Sequence, residues 1–397
     1  MKLRLLLNRK FAVAAAVICA LAAHADSIPD WWHAPVRWRV GVEAMPAYVP
    51  GTNDYLRGIN PESKVIQSGF AAALKADFSF NPGSRQGRLY RGLYQGIGIG
   101  LNSFGSSALL GTPVSAFVYQ GAPIVWFSDR LWLGYEWKFG AAFGWKHGES
   151  TVDELNVAVS TPVTAHMGVG VKLHYQLSRR WELSLGVEAD HFSNGNTSWP
   201  NAGVNRIGAA LGVAYTINPL PDAAEASGQL RREADRPGWF YDIVLYGAWR
   251  KRWVAINDTP EFCPGRFGIA GIQIAPMRKF NRWVAAGASL DMQWDESAAL
   301  SSYWVEGSYG DDIKFYRPPF GKQLSVGLSA HAELTMPIFS VNVGLGYDML
   351  APEGNQRFYQ SLTLKTFVSR RIFINTGYRL GRFKYPQNLM LGIGIRL

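Results

Sequence analysis

Segments of ten to sixteen residues, in which small or apolar side chains alternate with polar ones, recur along the whole chain. Alternation with a period of two indicates β-strands that have one face toward an apolar medium and the other toward a polar one. An outward apolar band that recurs at this strand length is typical of a transmembrane β-barrel, because only a closed sheet satisfies its backbone hydrogen bonds in lipid. The sequence therefore predicts an all-β membrane protein.

The alternation predicts eight strands in each half of the chain. In the first half they cover residues 36–48, 64–80, 91–104, 112–127, 131–146, 164–177, 180–193 and 203–217. In the second half they cover residues 237–252, 267–279, 282–296, 321–336, 338–350, 357–369, 371–383 and 387–397. These strands predict antiparallel up-and-down barrels, either two tandem eight-stranded barrels or one barrel of about 16 strands.

Residues 218–236 are polar, charged and free of alternation, so we interpret them as a linker on the periplasmic side. This linker favours two barrels, at residues 26–217 and 237–397. Residues 1–25 have the form of a secretory signal peptide, with early cations, an apolar stretch and Ala23-His24-Ala25 as a small-x-small cleavage site. We therefore expect export and insertion into a Gram-negative outer membrane.

Charge and cysteine content narrow the possible functions. The formal net charge is +10, and the four cations of the predicted signal leave a mild, dispersed excess of six. Such a charge does not indicate nucleic-acid binding, but it suits a surface rich in anionic phosphates, such as lipopolysaccharide. Without Cys19 of the signal, Cys263 stands alone, which excludes an intramolecular disulfide and a CxxC zinc site. No metal or cofactor is expected.

The predicted connections of the first half alternate between tight turns and longer loops. The turns at 128–129 and 177–180 are short, whereas the longer loops cover residues 49–63, 105–111, 147–163 and 194–202. Bacterial barrels have short periplasmic turns and long outer loops. If the first strand rises from the periplasm, the loop after Ser193 lies at the outer leaflet.

A histidine and a serine two residues apart end the seventh predicted strand. Strict alternation puts His191 and Ser193 on the lipid-facing row, which also holds Trp181, Leu183, Leu185, Val187 and Ala189. The same rule turns Asn205 outward on the eighth strand. Because neighbouring strands lie about 4.8 Å apart, the three side chains can converge near the outer rim.

These three side chains predict a nucleophilic site. A serine hydroxyl needs an imidazole to remove its proton, and the imidazole needs a third group to fix its tautomer. We therefore expect Ser193 to be the nucleophile, His191 the base and Asn205 the orienting group. The Gly-containing turn at Asn194, Gly195 and Asn196 is expected to supply donors to the oxyanion of the tetrahedral intermediate.

The same residues resemble a known family, the outer-membrane lipid A 3-O-deacylases (PagL) and their acyloxyacyl-hydrolase-like relatives. The resemblance rests on His191-Phe192-Ser193-Asn194, followed by Pro200-Asn201-Ala202-Gly203-Val204-Asn205, and it covers the first barrel. It implies an eight-stranded barrel that hydrolyses an ester-linked acyl chain of lipid A on its lipid-facing side, without a metal. By resemblance, His191 is the base, Ser193 the nucleophile, and Asn194 lies near the oxyanion donors.

The chain departs from the family pattern at position 205, where the family has Glu and this sequence has Asn. An amide can orient a histidine, but it does not stabilise the imidazolium by charge. Two alternatives to a hydrolase stay open. One is a non-catalytic scaffold, adhesin or narrow pore with a decayed site, and the other is a lipid acyltransferase.

Parity also assigns Glu182, Glu188, Asp190 and Arg206 to the interior of the first barrel, where an ion-pair network is expected. A weak internal repeat aligns residues 177–190 with residues 368–381, and in that alignment His191 falls on Arg382. The second half is therefore expected to keep the scaffold and to lack the site residues. The other histidines, including His331, are interpreted as structural or solvated.

Overall fold

The computed structural model describes residues 36–148, 156–220, 227–256, 259–352, 355–383 and 385–397. The predicted signal at residues 1–25 lies outside the described residues. The chain divides into two compact units between Arg231 and Arg232, and each unit contains one barrel. In the part of the chain that the structure describes, no helix is long and apolar enough to span a membrane.

The first unit is a closed antiparallel barrel in which each strand pairs with the next and the eighth pairs with the first. Its strands are β1 (Val36–Tyr48), β2 (Ser68–Phe80), β3 (Tyr94–Ser103), β4 (Gly111–Trp126), β5 (Leu131–Trp145), β6 (Val163–Gln176), β7 (Trp181–Ser193) and β8 (Val204–Thr216). All eight predicted strands are confirmed.

The second unit is also a closed eight-stranded barrel. Its strands are β9 (Gly238–Arg250), β12 (Phe267–Lys279), β13 (Val284–Asp295), β14 (Leu324–Thr335), β15 (Phe339–Leu350), β16 (Phe358–Phe367), β17 (Ile372–Gly381), and a last strand broken into β18 (Tyr385–Leu389) and β19 (Leu391–Arg396). Pairing of β16 with β17 and of β19 with β9 closes it. The short hairpin of β10 (Trp253–Ile256) and β11 (Thr259–Phe262), which the alternation did not predict, lies outside the barrel sheet.

Among the described residues, helices are few and short. They are α1 (Arg85–Leu89), α2 (Ser107–Leu110) and α3 (Gly228–Ala234), with 3-10 turns at Leu300–Tyr303, Gly310–Asp312 and Phe320–Lys322. The helix α1 begins where the Ser84 side chain accepts a hydrogen bond from the Gly87 N–H, a standard N-cap. The helix α3 lies within residues 218–236, of which residues 221–226 are outside the described part. The segment predicted as an irregular linker therefore contains one helical stretch.

The outer surface of the first barrel carries the apolar band that the alternation predicts. On β7, Leu185 and Val187 are 57 % and 60 % exposed, and Ile97 on β3 and Leu74 on β2 are more exposed still. The intervening residues point into the barrel, where Glu188 and Asp190 are almost fully buried. A solvent-exposed apolar row beside a buried charged row fits a barrel that contacts lipid on its outside.

The interior of the first barrel is filled by the predicted ion-pair network. Arg206 contacts Asp190 at 2.6 Å, Arg39 contacts Glu182 at 3.0 Å, and Lys138 pairs with Glu188. The cavity in this interior has a volume of only about 10 Å³. Charged side chains thus fill much of the space inside the barrel.

The longer loops of the first barrel, at residues 49–67, 104–110, 146–162 and 194–203, connect strands at one end, which we call the loop end. Their apolar side chains form a separate core over the barrel, with Leu56, Phe104 and Leu110 fully buried. The inward-facing Phe192 of β7 joins this core and contacts Phe104 and Trp145 edge to face. The loop end is therefore a packed structure attached to the last residues of β7.

Candidate active site

His191 and Asn205 lie directly opposite each other on β7 and β8. His191 Nδ1 and Asn205 Oδ1 are 2.6 Å apart, which is hydrogen-bonding distance. Because an amide oxygen only accepts, this contact requires the ring proton on Nδ1 and leaves a lone pair on Nε2. The imidazole is thereby held in the tautomer that can take a proton from a hydroxyl.

Both neighbours of His191 in the chain point into the barrel. Asp190 bonds Arg206 Nε at 2.7 Å and also bonds His166, while Phe192 stacks on the His166 ring at 4.3 Å. These buried contacts fix the alternation of β7 at its end. His191 consequently continues the outward row below it, through Ala189 and Val187.

Ser193 is the last residue of β7 and pairs with Ala165 of β6. Its side chain lies on the outward face of the strand by parity, but the residue is only 6 % exposed. Among the described residues, no hydrogen bond joins its hydroxyl to His191. The structure thus brings His191 and Asn205 into contact and leaves Ser193 two residues along the same row; without substrate, catalytic hydrogen bonds are often long or unmade.

Gly203, just before β8, packs its backbone against the imidazole. Its φ is 74°, in the left-handed region that favours glycine. A Cβ at this position would lie 3.0 Å from His191 Cε1 and 2.9 Å from the carbonyl oxygen of Phe192. The close approach explains why a glycine is needed at this point of the Pro-Asn-x-Gly string.

Asn194 has both of its donor groups engaged within the loop. Its backbone N–H donates to Asn201 Oδ1 at 2.9 Å, and its Nδ2 donates to Ser160 Oγ at 3.0 Å and to the Ser198 carbonyl at 2.9 Å. These bonds hold the 194–203 loop against the loop between β5 and β6. In this arrangement the donors of Asn194 are engaged within the loop, and its expected role near the oxyanion stays a prediction.

The next two residues have unusual backbone angles. Gly195 and Asn196 both have φ of 63°, and two successive left-handed residues turn the chain sharply away from the end of β7. The turn is closed by Thr197, whose N–H and hydroxyl both donate to the Asn194 carbonyl. Gly195, unlike Asn194, has no side chain that bonds within the loop.

Two further segments clamp the start of β8. The N–H groups of Ala202 and Gly203 donate to the carbonyls of Val157 and Ala158, each at 3.0 Å. From the loop between β1 and β2, Asn53 Nδ2 donates to the Gly203 carbonyl at 3.1 Å. The backbone beside His191 is thus fixed from both sides by residues far away in sequence.

Two family models match the chain. The model described as "Lipid A 3-O-deacylase (PagL)" matches residues 123–214, which contain β5 to β8 and the His191, Ser193 and Asn205 positions. The model described as "Acyloxyacyl hydrolase, C-terminal domain" of PagL matches residues 239–397, the second barrel. The chain belongs to the PagL family. The resemblance drawn from the His-x-Ser-Asn string is therefore confirmed.

Solved structures resemble this PagL-family chain at low identity. The outer membrane enzyme PagL is 16 % identical over 43 % of this chain and 97 % of its own, with a TM-score of 0.30. Neisserial surface protein A is 14 % identical over 45 % of this chain and 97 % of its own, with a TM-score of 0.29. An outer membrane channel from Pseudomonas putida F1 is 11 % identical over 94 % and 98 %, with a TM-score of 0.22. No curated protein matches the sequence.

Sequence analysis of this PagL-family chain missed a second set of the same residue types. In the second barrel, Ser329 Oγ lies 2.8 Å from His331 Nε2, and His331 Nδ1 lies 2.7 Å from Asn342 Oδ1. All three are buried, and the hydroxyl also donates to Asp291 at 2.6 Å. Parity on β14 turns the set into the barrel interior, away from lipid. The period-two pattern could have revealed this placement, whereas the contact with Asn342 could not be predicted from spacing.

Three carboxylates in the first barrel have the proximity expected of metal ligands. Oxygen atoms of Glu43, Glu136 and Glu188 all lie within 4.8 Å of one another. Lys172 contacts all three carboxylates, at 2.6 to 3.1 Å, and Lys75 adds a second cation to Glu43 and Glu136. The lysines already neutralise the cluster, so it belongs to the ion-pair network and not to a metal centre of this PagL-family protein.

Proposed function

We propose that the chain is an outer-membrane serine esterase that removes an ester-linked acyl chain from lipid A of lipopolysaccharide. In this mechanism Ser193 is the nucleophile, His191 the general base and Asn205 the group that orients His191. The proposal is supported by membership of a family described as lipid A 3-O-deacylases. The observation that carries it is the 2.6 Å contact between His191 Nδ1 and Asn205 Oδ1 on the outward row of the barrel.

The position of this contact suits an acyl ester. Below His191, the outward row consists of Ala189, Val187 and Leu185, which present an apolar surface to acyl chains. Above it, the 194–203 loop is polar. An ester bond lies between an apolar chain and a polar head group, so a lipid that lies along β7 brings its ester carbonyl to the level of Ser193.

The reaction follows from the tautomer. With Nδ1–H bonded to Asn205, the free Nε2 lone pair accepts the Ser193 proton as Oγ forms a bond to the ester carbonyl carbon. The resulting imidazolium then donates that proton to the sugar oxygen as the C–O bond breaks, which leaves an acyl-serine. Water, deprotonated by the same nitrogen, then attacks the acyl carbon, and the bond to Ser193 Oγ breaks as the imidazolium returns the proton to Oγ, which releases the fatty acid.

The developing oxyanion needs donors. Because both donors of Asn194 are engaged in the loop, we assign this role to the backbone N–H of Gly195, with Asn196 next to it. A glycine-containing turn can direct backbone N–H groups toward one place, as in anion-binding turns. Asn194 then acts as a positioning residue for the turn.

Mass spectrometry of lipid A tests the proposal directly. Lipid A from cells that express the wild-type chain should have lost one acyl chain, and lipid A from cells that express Ser193→Ala should be intact. A matched control is Ser178→Ala, in the tight turn at the opposite end of β7, which should behave as wild type. Equal amounts of folded barrel in the membrane must be verified by the gel mobility shift between unheated and heated samples.

The alternatives give different spectra. Identical lipid A from wild type and Ser193→Ala would refute the hydrolase and favour a non-catalytic barrel with a decayed site. A gain of one acyl chain on any lipid, dependent on Ser193, would instead indicate acyl transfer. A pore through the first barrel is disfavoured by the ion pairs that fill its interior and by the 10 Å³ cavity among them.

A further inference from the structure

A cavity of about 450 Å³ opens at the loop end of the first barrel. Its volume is within the range of small-molecule sites, about 300–1,000 Å³. The apolar part of its lining includes Tyr55, Leu109 and Trp145, and the polar part includes Glu62, Lys146 and His147. These residues come from three different loops, so the cavity exists only because the loop end is packed.

The lining is chemically mixed in a way that indicates one class of ligand. Two basic side chains, Lys146 and His147, are adjacent in sequence and can bind an anionic phosphate. Glu62 can accept hydrogen bonds from hydroxyl or amide groups. The rings of Trp145 and Tyr55 are almost fully buried and form part of the wall beside these polar groups. A phosphorylated sugar combines the anionic group and the hydroxyl donors that such a lining recognises.

The cavity is structurally joined to the candidate active site. Asn156, which also lines the cavity, is bonded to the Lys146 carbonyl at 3.3 Å and begins a short segment that reaches Ser160. Within that segment, Val157 and Ala158 accept from Ala202 and Gly203, and Ser160 accepts from Asn194. The same few residues therefore separate the cavity from the loop that follows Ser193.

A second connection runs through aromatic rings. Trp145 lines the cavity and contacts Phe192, the residue between His191 and Ser193, with ring centroids 5.4 Å apart. Its Nε1 donates to Thr164 Oγ1 at 2.9 Å, next to Ala165, the cross-strand partner of Ser193. The cavity and the serine are therefore linked by one aromatic contact and one strand pairing.

We propose that this cavity binds the phosphorylated hexosamine head group of the glycolipid whose acyl ester meets Ser193, with Lys146 and His147 as the phosphate-binding residues. The inference rests on the proposed esterase function, since it names the part of the substrate that is held while the ester is cleaved. In this proposal the loop end determines which head group is bound. The outward row of β7 contacts the acyl chain.

The test compares two substrates in the full-length protein in detergent micelles. One is lipid A that carries its phosphates, and the other is p-nitrophenyl butyrate, an ester without a sugar. For the double variant Lys146→Ala/His147→Ala, we expect kcat/KM on lipid A to fall about 10- to 100-fold, through KM, because two hydrogen bonds to a charged group are lost. Hydrolysis of p-nitrophenyl butyrate should be unchanged.

The control is Lys64→Ala. This lysine is exposed at the same loop end, and its Nζ donates to the Gly105 carbonyl at 3.0 Å, but it does not line the cavity. Its kcat/KM should equal that of the wild type on both substrates. Dephosphorylated lipid A separates phosphate from sugar binding, since the double variant and the wild type should hydrolyse it at similar rates. A double variant that keeps its KM for lipid A, or that loses the same factor on both substrates, overturns the proposal.

Binding gives a readout that does not depend on turnover. In a Ser193→Ala background, the Kd for lipid A should rise about 10- to 100-fold when Lys146→Ala/His147→Ala is added, for the same reason. If Ser193→Ala has no effect on lipid A in cells, the esterase function fails, and this titration still decides the cavity. An unchanged Kd would refute the head-group site even in an active enzyme.

Discussion

His191 and Asn205 face each other across two neighbouring strands, and their 2.6 Å contact is made on the outside of the barrel, where the neighbouring residues of both strands present apolar side chains. The charged residues of the same two strands, Glu182, Glu188, Asp190 and Arg206, point the other way, into a filled interior. The alternation of outward and inward side chains that a membrane barrel needs therefore also places a polar contact at the lipid boundary. A site of this kind requires only the adjoining ends of two neighbouring strands and the loop that connects them.

Substitution of Asn205 gives the most direct test of the mechanism. Asn205→Ala removes the acceptor for His191 Nδ1–H, so we expect kcat to fall about 10²-fold, within the range that a well-placed general base contributes. Asn205→Glu restores the acceptor and adds a charge that stabilises the imidazolium, so its activity should equal or exceed that of the wild type. Lipid A hydrolysis by the purified variants measures both. Full activity of the alanine variant would remove Asn205 from the mechanism.

Gly203 should tolerate no side chain. In Gly203→Ala, the new Cβ meets His191 Cε1 at 3.0 Å and the Phe192 carbonyl at 2.9 Å, and the φ of 74° adds strain of about 1–3 kcal/mol. Because displacement of a catalytic group by about 1 Å can cost about 10²-fold, we expect a large fall in kcat in a barrel that still folds. The control is Gly238→Ala at the start of β9, where no atom lies within 4 Å. Equal activities of the two variants would contradict the assignment.

The strands, and the face on which each residue of β7 and β8 lies, could be predicted because alternation is a local property. The predicted strand at 180–193 differs from β7 by one residue, since Trp181 begins the outward row. The repeat was also informative: it aligns Trp181 with Ile372, and these residues are the first of β7 and β17. Period-two patterning is thus sufficient for a barrel, whose strands all obey one rule.

The rest depends on contacts between residues distant in sequence. The role of Asn194 is decided by Ser160, Ser198 and Asn201, and only the folded loops bring the first of these to it. The β10–β11 hairpin packs around Cys263, Leu300 and Ile313, from a loop that has no alternation to reveal it. The cavity at the loop end forms only where residues of three loops meet. Spacing along one strand carries no information about such arrangements.

The ion pairs in the first barrel should contribute strongly to its stability. Asp190→Ala leaves Arg206 with a buried, uncompensated charge, so we expect the free energy of unfolding to fall by about 3–5 kcal/mol. Urea unfolding in lipid vesicles, followed by tryptophan fluorescence, measures this. The matched control is Asp54→Ala, whose partner Arg57 is 3.5 Å away and whose pair is 63 % and 67 % exposed, so its loss should be below about 1 kcal/mol. Similar losses from the two variants would mean that burial does not set the strength of the pair.

The serine of the second barrel should differ from Ser193 in both activity and stability. Ser329 bonds His331 and Asp291 inside the barrel, so Ser329→Ala leaves two buried groups short of a partner and should lower the free energy of unfolding by about 1–3 kcal/mol. Because its face is turned away from lipid, lipid A hydrolysis should be unaffected. Ser193→Ala should show the reverse, with hydrolysis abolished and the free energy of unfolding lowered less than in Ser329→Ala, because no buried carboxylate loses its hydrogen bond. Loss of hydrolysis in Ser329→Ala, measured in folded protein, would mean that the interior set takes part in the reaction and that facing lipid is not the decisive property.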